Sequence, residues 1–207
     1  MLHPHTELKM VNETVGYGVF ATQAIPMGTI TWALDPLDQI LDPQRTSAFE
    51  SQFAGSVEHF TWTNGTGKRI LCWDFGRFMN HSCDANSHGP GGTDYEIAVR
   101  DIAAGEELTC DYRTLNLESP MICACGSSSC TGSVGDADLD LVAAASDTLI
   151  RNAFPKIHQV EQPLWQWIVD KPIVTAMARD PLRIPSVLKH RWPIVSPALA
   201  STSGRAS

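Results

Sequence analysis

The chain has 207 residues, of which 43% are hydrophobic and 18% charged, and a formal net charge of −8. That balance excludes a disordered sequence and allows one core of ordinary size, or a core with an appendage. Residues 1–132 carry 7 Lys and Arg against 16 Asp and Glu, a net of −9, which disfavours direct nucleic-acid binding and suits a basic partner.

From the N-terminus, residues 8–20 read as a strand, a tight turn at Gly16-Tyr17-Gly18 and a second strand. Ile25-Pro26-Met27-Gly28 is a turn, and Thr29 to Trp32 is a β-branched run of strand type. Asp42-Pro43 has the chemistry of a helix start, and a short helix is expected from there to about Phe53. Asn64-Gly65 separates two strand-like runs, Phe60–Trp62 and Arg69–Trp73, and predicts a hairpin. Tyr95 to Arg100 and Glu107 to Tyr112 read as further strands.

Beyond the cysteine cluster at 123–130 the pattern turns helical. Asp136 or Asp138 is placed to cap a helix running to about Phe154, with Leu139, Val142, Leu149 and Ile150 as its apolar stripe and Pro155 closing it. Pro163, Pro172, Pro181, Pro185 and Pro193 divide the remaining chain into short pieces. The small, polar stretch 193–207 is expected to be disordered. The longest apolar run, Leu141 to Ala145, is too short to span a bilayer, and MLHPHTELKM lacks a signal-peptide core. A cytoplasmic or nuclear location, with no membrane partner, is the expectation.

Six cysteines are present, and Cys123, Cys125 and Cys130 fall within eight residues. Three closely spaced thiolates with Gly126 relaxing the turn suit a tetrahedral zinc site, which needs a fourth ligand from elsewhere. Disulfides are the competing reading and unliganded thiols a third, though nothing in the sequence points to an oxidising compartment. His3, His5, His59, His88, His158 and His190 show no metal-pair spacing, and Asp74-Phe75-Gly76 lacks the partner motifs of a kinase.

The segment Arg77-Phe78-Met79-Asn80-His81-Ser82-Cys83, with Asp84-Ala85-Asn86 after it, resembles the RFxNHSCxxN motif of the SET-domain protein-lysine methyltransferases. Gly16-Tyr17-Gly18 precedes it as the family's early GxG, and Gly105-Glu106-Glu107-Leu108-Thr109-Cys110-Asp111-Tyr112 comes after it, similar to GEELTxDY. Cys123-x-Cys125-x4-Cys130 resembles the post-SET zinc motif. The resemblance covers roughly residues 7–132.

It implies an α+β, mainly β SET fold of small curved sheets, in which Asn80–Cys83 passes beside the chain carrying Tyr112 at a knot-like crossing. The organisation expected is a SET domain over 7–114, a post-SET zinc loop over 115–132, a helical extension over 133–192 and the tail. It implies Cys83 as the fourth zinc ligand beside Cys123, Cys125 and Cys130. S-adenosylmethionine is the implied methyl donor, held by Gly16, Tyr17, Gly18, Asn80 and His81, with Tyr112 both beside it and acting as the catalytic tyrosine. Arg77 either touches the donor or braces the crossing. The implied activity is methyl transfer to a lysine of a histone or other basic protein. The rival is an inactive SET-like module that binds a peptide or protein partner.

The chemistry is an in-line displacement at a sulfonium methyl. The attacking amine must be neutral, yet about one free lysine in a few thousand is neutral at pH 7. A site that desolvates the amine beside a positive sulfur lowers its pKa, and alignment supplies further rate. Two departures from the family pattern stand out. Cys110 occupies a position where many members carry Phe or Tyr, which points to methylation beyond the first methyl group. Trp32 stands near a position where many members carry a site tyrosine.

Overall fold

The computed structural model of the protein describes residues 1–42, 52 and 57–192. The expected helix after Asp42-Pro43 and the tail 193–207 lie outside the described residues. Short strands dominate as far as residue 134, and helices come after.

Strand β1 (Thr6–Asn12) pairs antiparallel with β2 (Gly16–Ala21). The turn between them lies at 13–15, one step before the expected Gly16–Gly18. Asn12 decides this: its Oδ1 accepts from the N–H groups of Thr14 and Val15 at 2.9 and 2.8 Å, closing the turn locally. Gly16, at φ +83°, then lets the chain enter β2, so the glycine pair lies on a strand.

Strand β3 (Ile30–Ala33) comes directly after the turn at Gly28, as expected. Strands β4 (Gln39–Leu41), β5 (Thr61–Thr63) and β6 (Arg69–Leu71) form a sheet in the order β4-β6-β5. The Asn64-Gly65 hairpin forms with a five-residue loop, 64–68, because Thr63 pairs with Arg69. Asn64 holds it, its Oδ1 accepting from Thr66 N, Thr66 Oγ1 and Lys68 N.

A 3-10 turn at Phe75–Phe78 leads into β7 (Asn80–His81). Then come β8 (Ser87–His88), β9 (Tyr95–Ala98) and β10 (Glu107–Cys110). Strand β9 is the centre of a β3-β9-β8 sheet, while β10 lies between β2 and β7. A two-stranded ribbon, β11 (Met121–Ile122) with β12 (Ser133–Val134), brackets the cysteine cluster.

Helix α1 (Leu139–Ala153) begins shortly after this ribbon. Asp138 sits at its N-cap without capping it, since its Oδ2 accepts from Gly135 N instead. The buried face is Leu139, Ala143, Ser146, Asp147, Ile150 and Ala153, so the stripe shifts from the expected one and leaves Leu149 at 40% exposure. Pro155 ends the helix through a 3-10 turn, and α2 (Lys171–Arg179) lies further along the chain.

Two hydrophobic clusters meet at the β3-β9-β8 sheet. Tyr95, Ile97 and Val99 face one with Ile30, Leu139, Ile150, Phe154, Ile157 and Val174. Trp32 and Ala98 face the other with Val19, Leu108, Cys110 and Cys72. Strand β9 is thus covered on both faces, and the C-terminal helices supply one cover. The edge of β3 is closed by Gln162, whose Oε1 accepts from Ile30 N at 2.9 Å while its Nε2 donates to Gly28 O at 2.8 Å.

Candidate active site and metal centre

The site begins where β10 and β7 run parallel, with Thr109 opposite Asn80 and Cys110 opposite His81. Ser82 N donates to Cys110 O at 3.2 Å just beyond the pair. Two motifs about thirty residues apart in sequence are thereby held side by side. Tyr112 opens a 3-10 turn after β10, fixed by Asp111, whose carboxylate accepts from Arg113 N. The turn rotates Tyr112 back over β7: its N–H donates to His81 Nδ1 at 3.1 Å and its hydroxyl to Met79 O at 2.8 Å. Burial, with the neighbouring Cys110, Glu107 and Glu96, pushes the Tyr112 hydroxyl well above its ordinary pKa, so it acts as a neutral donor.

Because His81 Nδ1 accepts from the Tyr112 amide, its proton resides on Nε2, which lies 3.4 Å from Cys83 Sγ. Asn80 is equally constrained. Its Nδ2 donates to Tyr17 O at 3.0 Å and to Glu107 Oε1 at 2.7 Å. This pair explains the second glycine of the GxG. A Cβ on Gly18 would lie 2.2 Å from Glu107 Oε1 and 2.9 Å from Asn80 Nδ2, whereas the space above Gly16 is open. Strand β2 can approach Asn80 only without a side chain there.

Gly16, Tyr17, Arg77, Asn80, His81 and Tyr112, among others, line one cleft of about 700 Å³. A cleft of that size suits a cofactor-sized molecule with part of a second substrate. Tyr17 is half exposed, its ring edge-on to Phe78. Arg77 donates to the carbonyls of Trp73 and Cys72 and lies over the Phe78 ring at 5.1 Å, so it braces the entry to β7 while bordering the cleft. Trp32 and Cys110 are buried together in the wall, Trp32 packing edge-on against Trp62. The Trp32 Nε1 and Tyr95 hydroxyl find no partner among the described residues.

The metal ligands expected from the sequence converge. The sulfurs of Cys83, Cys123, Cys125 and Cys130 all lie within 4.8 Å of one another, with Cys83 and Cys123 at 3.9 Å. Tetrahedral zinc–thiolate bonds of about 2.3 Å place sulfurs roughly 3.8 Å apart, so this set fits zinc. None of the six cysteines is disulfide-bonded. Burial, reinforced by the adjacent thiols, pushes Cys123 up to about 12. Burial also raises Cys125, but N–H donors from Cys83 and Ser127 and the neighbouring thiols outweigh it and bring Cys125 down to about 6. A bound dication would hold all four as thiolates. The amide of Cys83 faces Cys125 Sγ and that of Gly132 faces Cys130 Sγ, which are the outer donors such thiolates need.

Two site residues escaped the sequence reading. Glu107 anchors Asn80, and its place inside a known motif hid its separate role. Glu96 borders the cleft from β9, and the one signal for it was an acid inside the otherwise apolar strand Tyr95-Glu96-Ile97-Ala98-Val99. The helical extension contributes little to the site. Its helices pack on the β3-β9 sheet, and among the described residues after the ribbon only His190 reaches the cleft.

Residues 16–113 match the SET domain family. The histone-lysine N-methyltransferase ASHH2 of Arabidopsis thaliana is 28% identical over 133 residues, covering 58% of this chain and 7% of its own length. The histone-lysine N-methyltransferase NSD3 of Mus musculus is 27% identical over 164 residues, covering 73% of this chain and 11% of its own. The methyltransferase domain of human histone-lysine N-methyltransferase SETMAR superposes with a TM-score of 0.47 at 23% identity, over 63% of this chain and 58% of that one. The chain spans only 7% and 11% of the length of the two curated relatives.

Proposed function

This chain belongs to the SET-domain family, and on that premise we propose that it is an S-adenosylmethionine-dependent protein-lysine N-methyltransferase. The observation that carries the proposal is the meeting of Asn80, His81 and Tyr112 with Gly16 and Tyr17 on one cleft, with Gly18 packed against Asn80. When bound, S-adenosylmethionine supplies an electrophilic methyl on a positively charged sulfur. Gly16, Tyr17, Gly18, Asn80 and His81 are the residues to hold it, with Arg77 bracing the strand that carries two of them. The open space above Gly16 and the close approach at Gly18 fit a ligand lying along β2.

Tyr112 borders the cleft, half-buried, with its neutral hydroxyl tied to Met79 O. Its role is to orient the substrate amine, and the desolvated wall around it favours the neutral form of that amine. Cys83, Cys123, Cys125 and Cys130 are the ligands for a structural zinc that fixes residues 115–132 as one wall. The domain assignment proposed is a SET unit over 7–114, this loop, and a helical extension over 133–192.

The substrate proposed is a lysine of a histone or another basic protein, and the protein is placed in the nucleus or cytoplasm. The net −9 of residues 1–132 and the histone-lysine activity for which both relatives are named support a basic partner. No helix among the described residues is long and apolar enough to cross a membrane. The test is incubation with methyl-labelled S-adenosylmethionine and core histones or cell extract, alongside calorimetry with the unlabelled donor. Label on a lysine side chain is the expected result. Donor binding without any labelled product, or no donor binding at all, returns the chain to the class of partner-binding modules.

A further inference from the structure

Glu96 is an acid on a strand covered on both faces. Strand β9 alternates, sending Tyr95, Ile97 and Val99 into the C-terminal core, so Glu96 and Ala98 point the other way. Glu96 pairs across the sheet with Trp32 and borders the same cleft as Tyr112 and Cys110. One carboxylate oxygen, Oε2, accepts from Ser87 Oγ at 2.7 Å, and Ser87 Oγ in turn meets Thr31 Oγ1. Among the described residues Oε1 accepts no hydrogen bond and no cation is paired with this half-buried carboxyl, which borders the cleft.

We propose that Glu96 accepts the proton of the substrate lysine's ε-ammonium, acting as a general base in the wall of the cleft. The proposal rests on the methyltransferase reading above and adds to it a residue that alignment by itself does not demand. Glu96 takes one proton from the ammonium and leaves a neutral amine. The amine lone pair forms the new N–C bond while the S–C bond of the sulfonium breaks, its electrons passing to sulfur. The product leaves as a methylated ammonium and the proton on Glu96 returns to solvent, so protons and charge balance.

The surroundings poise the group for this exchange. Burial raises Glu96 to about 7, the Ser87 hydroxyl lowers it in part, and the Asp111 carboxylate raises it. Cys110 and Tyr112 lie close enough for the Glu96 charge to raise both, and Cys72 acts on Cys110 from the strand β6 side. The nearby cation Arg113 is occupied by Asp111 at 2.7 Å. His190 stands across Gly89, its Nε2 3.1 Å from Gly89 O. A base poised near the working pH is most effective, since it is ionised yet still accepts a proton.

The experiment compares wild type and Glu96→Gln with core histones over pH 6–9, measuring kcat/KM, and melts both proteins over the same range. Wild-type kcat/KM should rise with pH through about 7. Glu96→Gln should lose that limb and fall on the order of 100-fold at neutral pH, with calorimetric affinity for S-adenosylmethionine retained. Its Tm should exceed that of wild type above pH 7, because a carboxyl raised in the folded state costs stability once ionised. An active wild type with an unchanged pH profile in Glu96→Gln overturns the role of Glu96 alone. A wild type that labels neither histones nor any extract protein overturns the methyltransferase reading and this one with it. Should Glu96→Gln fail to fold, Ser87→Ala is the second variant. Loss of its hydrogen bond should move the limb to higher pH, and an unmoved limb overturns the proposal.

Discussion

Single side chains in this protein carry contacts on two sides, and the consequences of removing them differ accordingly. Tyr112 gives its hydroxyl to Met79 O and its amide to His81. Tyr112→Phe deletes only the first, so stability should fall by about 1 kcal/mol. Turnover should fall at least about 100-fold if the hydroxyl orients the amine, as measured by initial rates at saturating donor. Gly18→Ala is the opposite kind of change, adding one carbon where Glu107 and Asn80 already meet. It should separate that pair and weaken donor binding roughly tenfold or more by calorimetry, with a smaller effect on kcat. Cys110 lies in the cleft wall beside Trp32 and Tyr112, and its small thiol leaves room that an aromatic ring would occupy. Wild type should therefore form di- or trimethyl-lysine, and Cys110→Tyr should shift products toward monomethyl at matched turnover, read by mass spectrometry. Monomethyl product alone from both proteins would show that Trp32 or Glu96, not Cys110, sets the limit.

Among elements, the cysteine ribbon and the C-terminal helices contribute in different ways. The β11–β12 ribbon is two residues deep on each strand, too short to be stable alone. A metal is what would hold it. Elemental analysis should find about one zinc per chain, and Cys130→Ser should release it. Activity should drop more than the Tm of the core, because Val19, Ile97 and Leu108 are buried without any help from the ribbon. The helices, by contrast, are part of the core. Leu139, Ile150, Phe154 and Ile157 are fully buried against Ile30 and Ile97, and truncation after Gly135 would strip β9 of one face. Such a truncation should give insoluble or molten protein by circular dichroism. A soluble, cooperatively melting truncation would show the extension to be an independent unit.

At the scale of the whole molecule, several buried histidines set the acid limit of stability. Burial, aided by nearby His5, brings His3 down to about 4, and burial also lowers His88 and His190. A histidine held neutral in the folded state gains a proton on unfolding once the pH falls below about 6.5. Stability from these groups is thus complete above that value and is lost as pH drops toward 4. The raised carboxyls of Glu96 and Asp38 oppose this over part of the range, whereas His81, also lowered by burial, adds to it. The Tm should fall between pH 6.5 and 4. A flat Tm across that window would mean that these imidazoles reach water in the folded state.

The family, the two motif segments that meet at the site and the four sulfurs that converge were all legible in the order of residues. The motifs themselves rest on local chemistry in short stretches: a glycine that a close backbone approach requires, an asparagine and a tyrosine in fixed order, three thiols spaced for one turn. Cys83 as fourth ligand and the crossing were implied by the resemblance those motifs carry. The strands were legible for the same reason, through alternation and turn residues, although Asn12 moved the first turn ahead of the glycines. Long-range packing settled the rest. Nothing local in Leu139–Ala153 says which sheet it covers, so the helices' place on β3 and β9 emerged only when both faces of β9 had to be buried. The same covering turned Glu96 toward the site, and an acid inside an otherwise apolar strand became a half-buried carboxyl in the wall of the cleft. A side chain's environment is set by what the far parts of the chain bring against it, and that information is not contained in its neighbours in sequence.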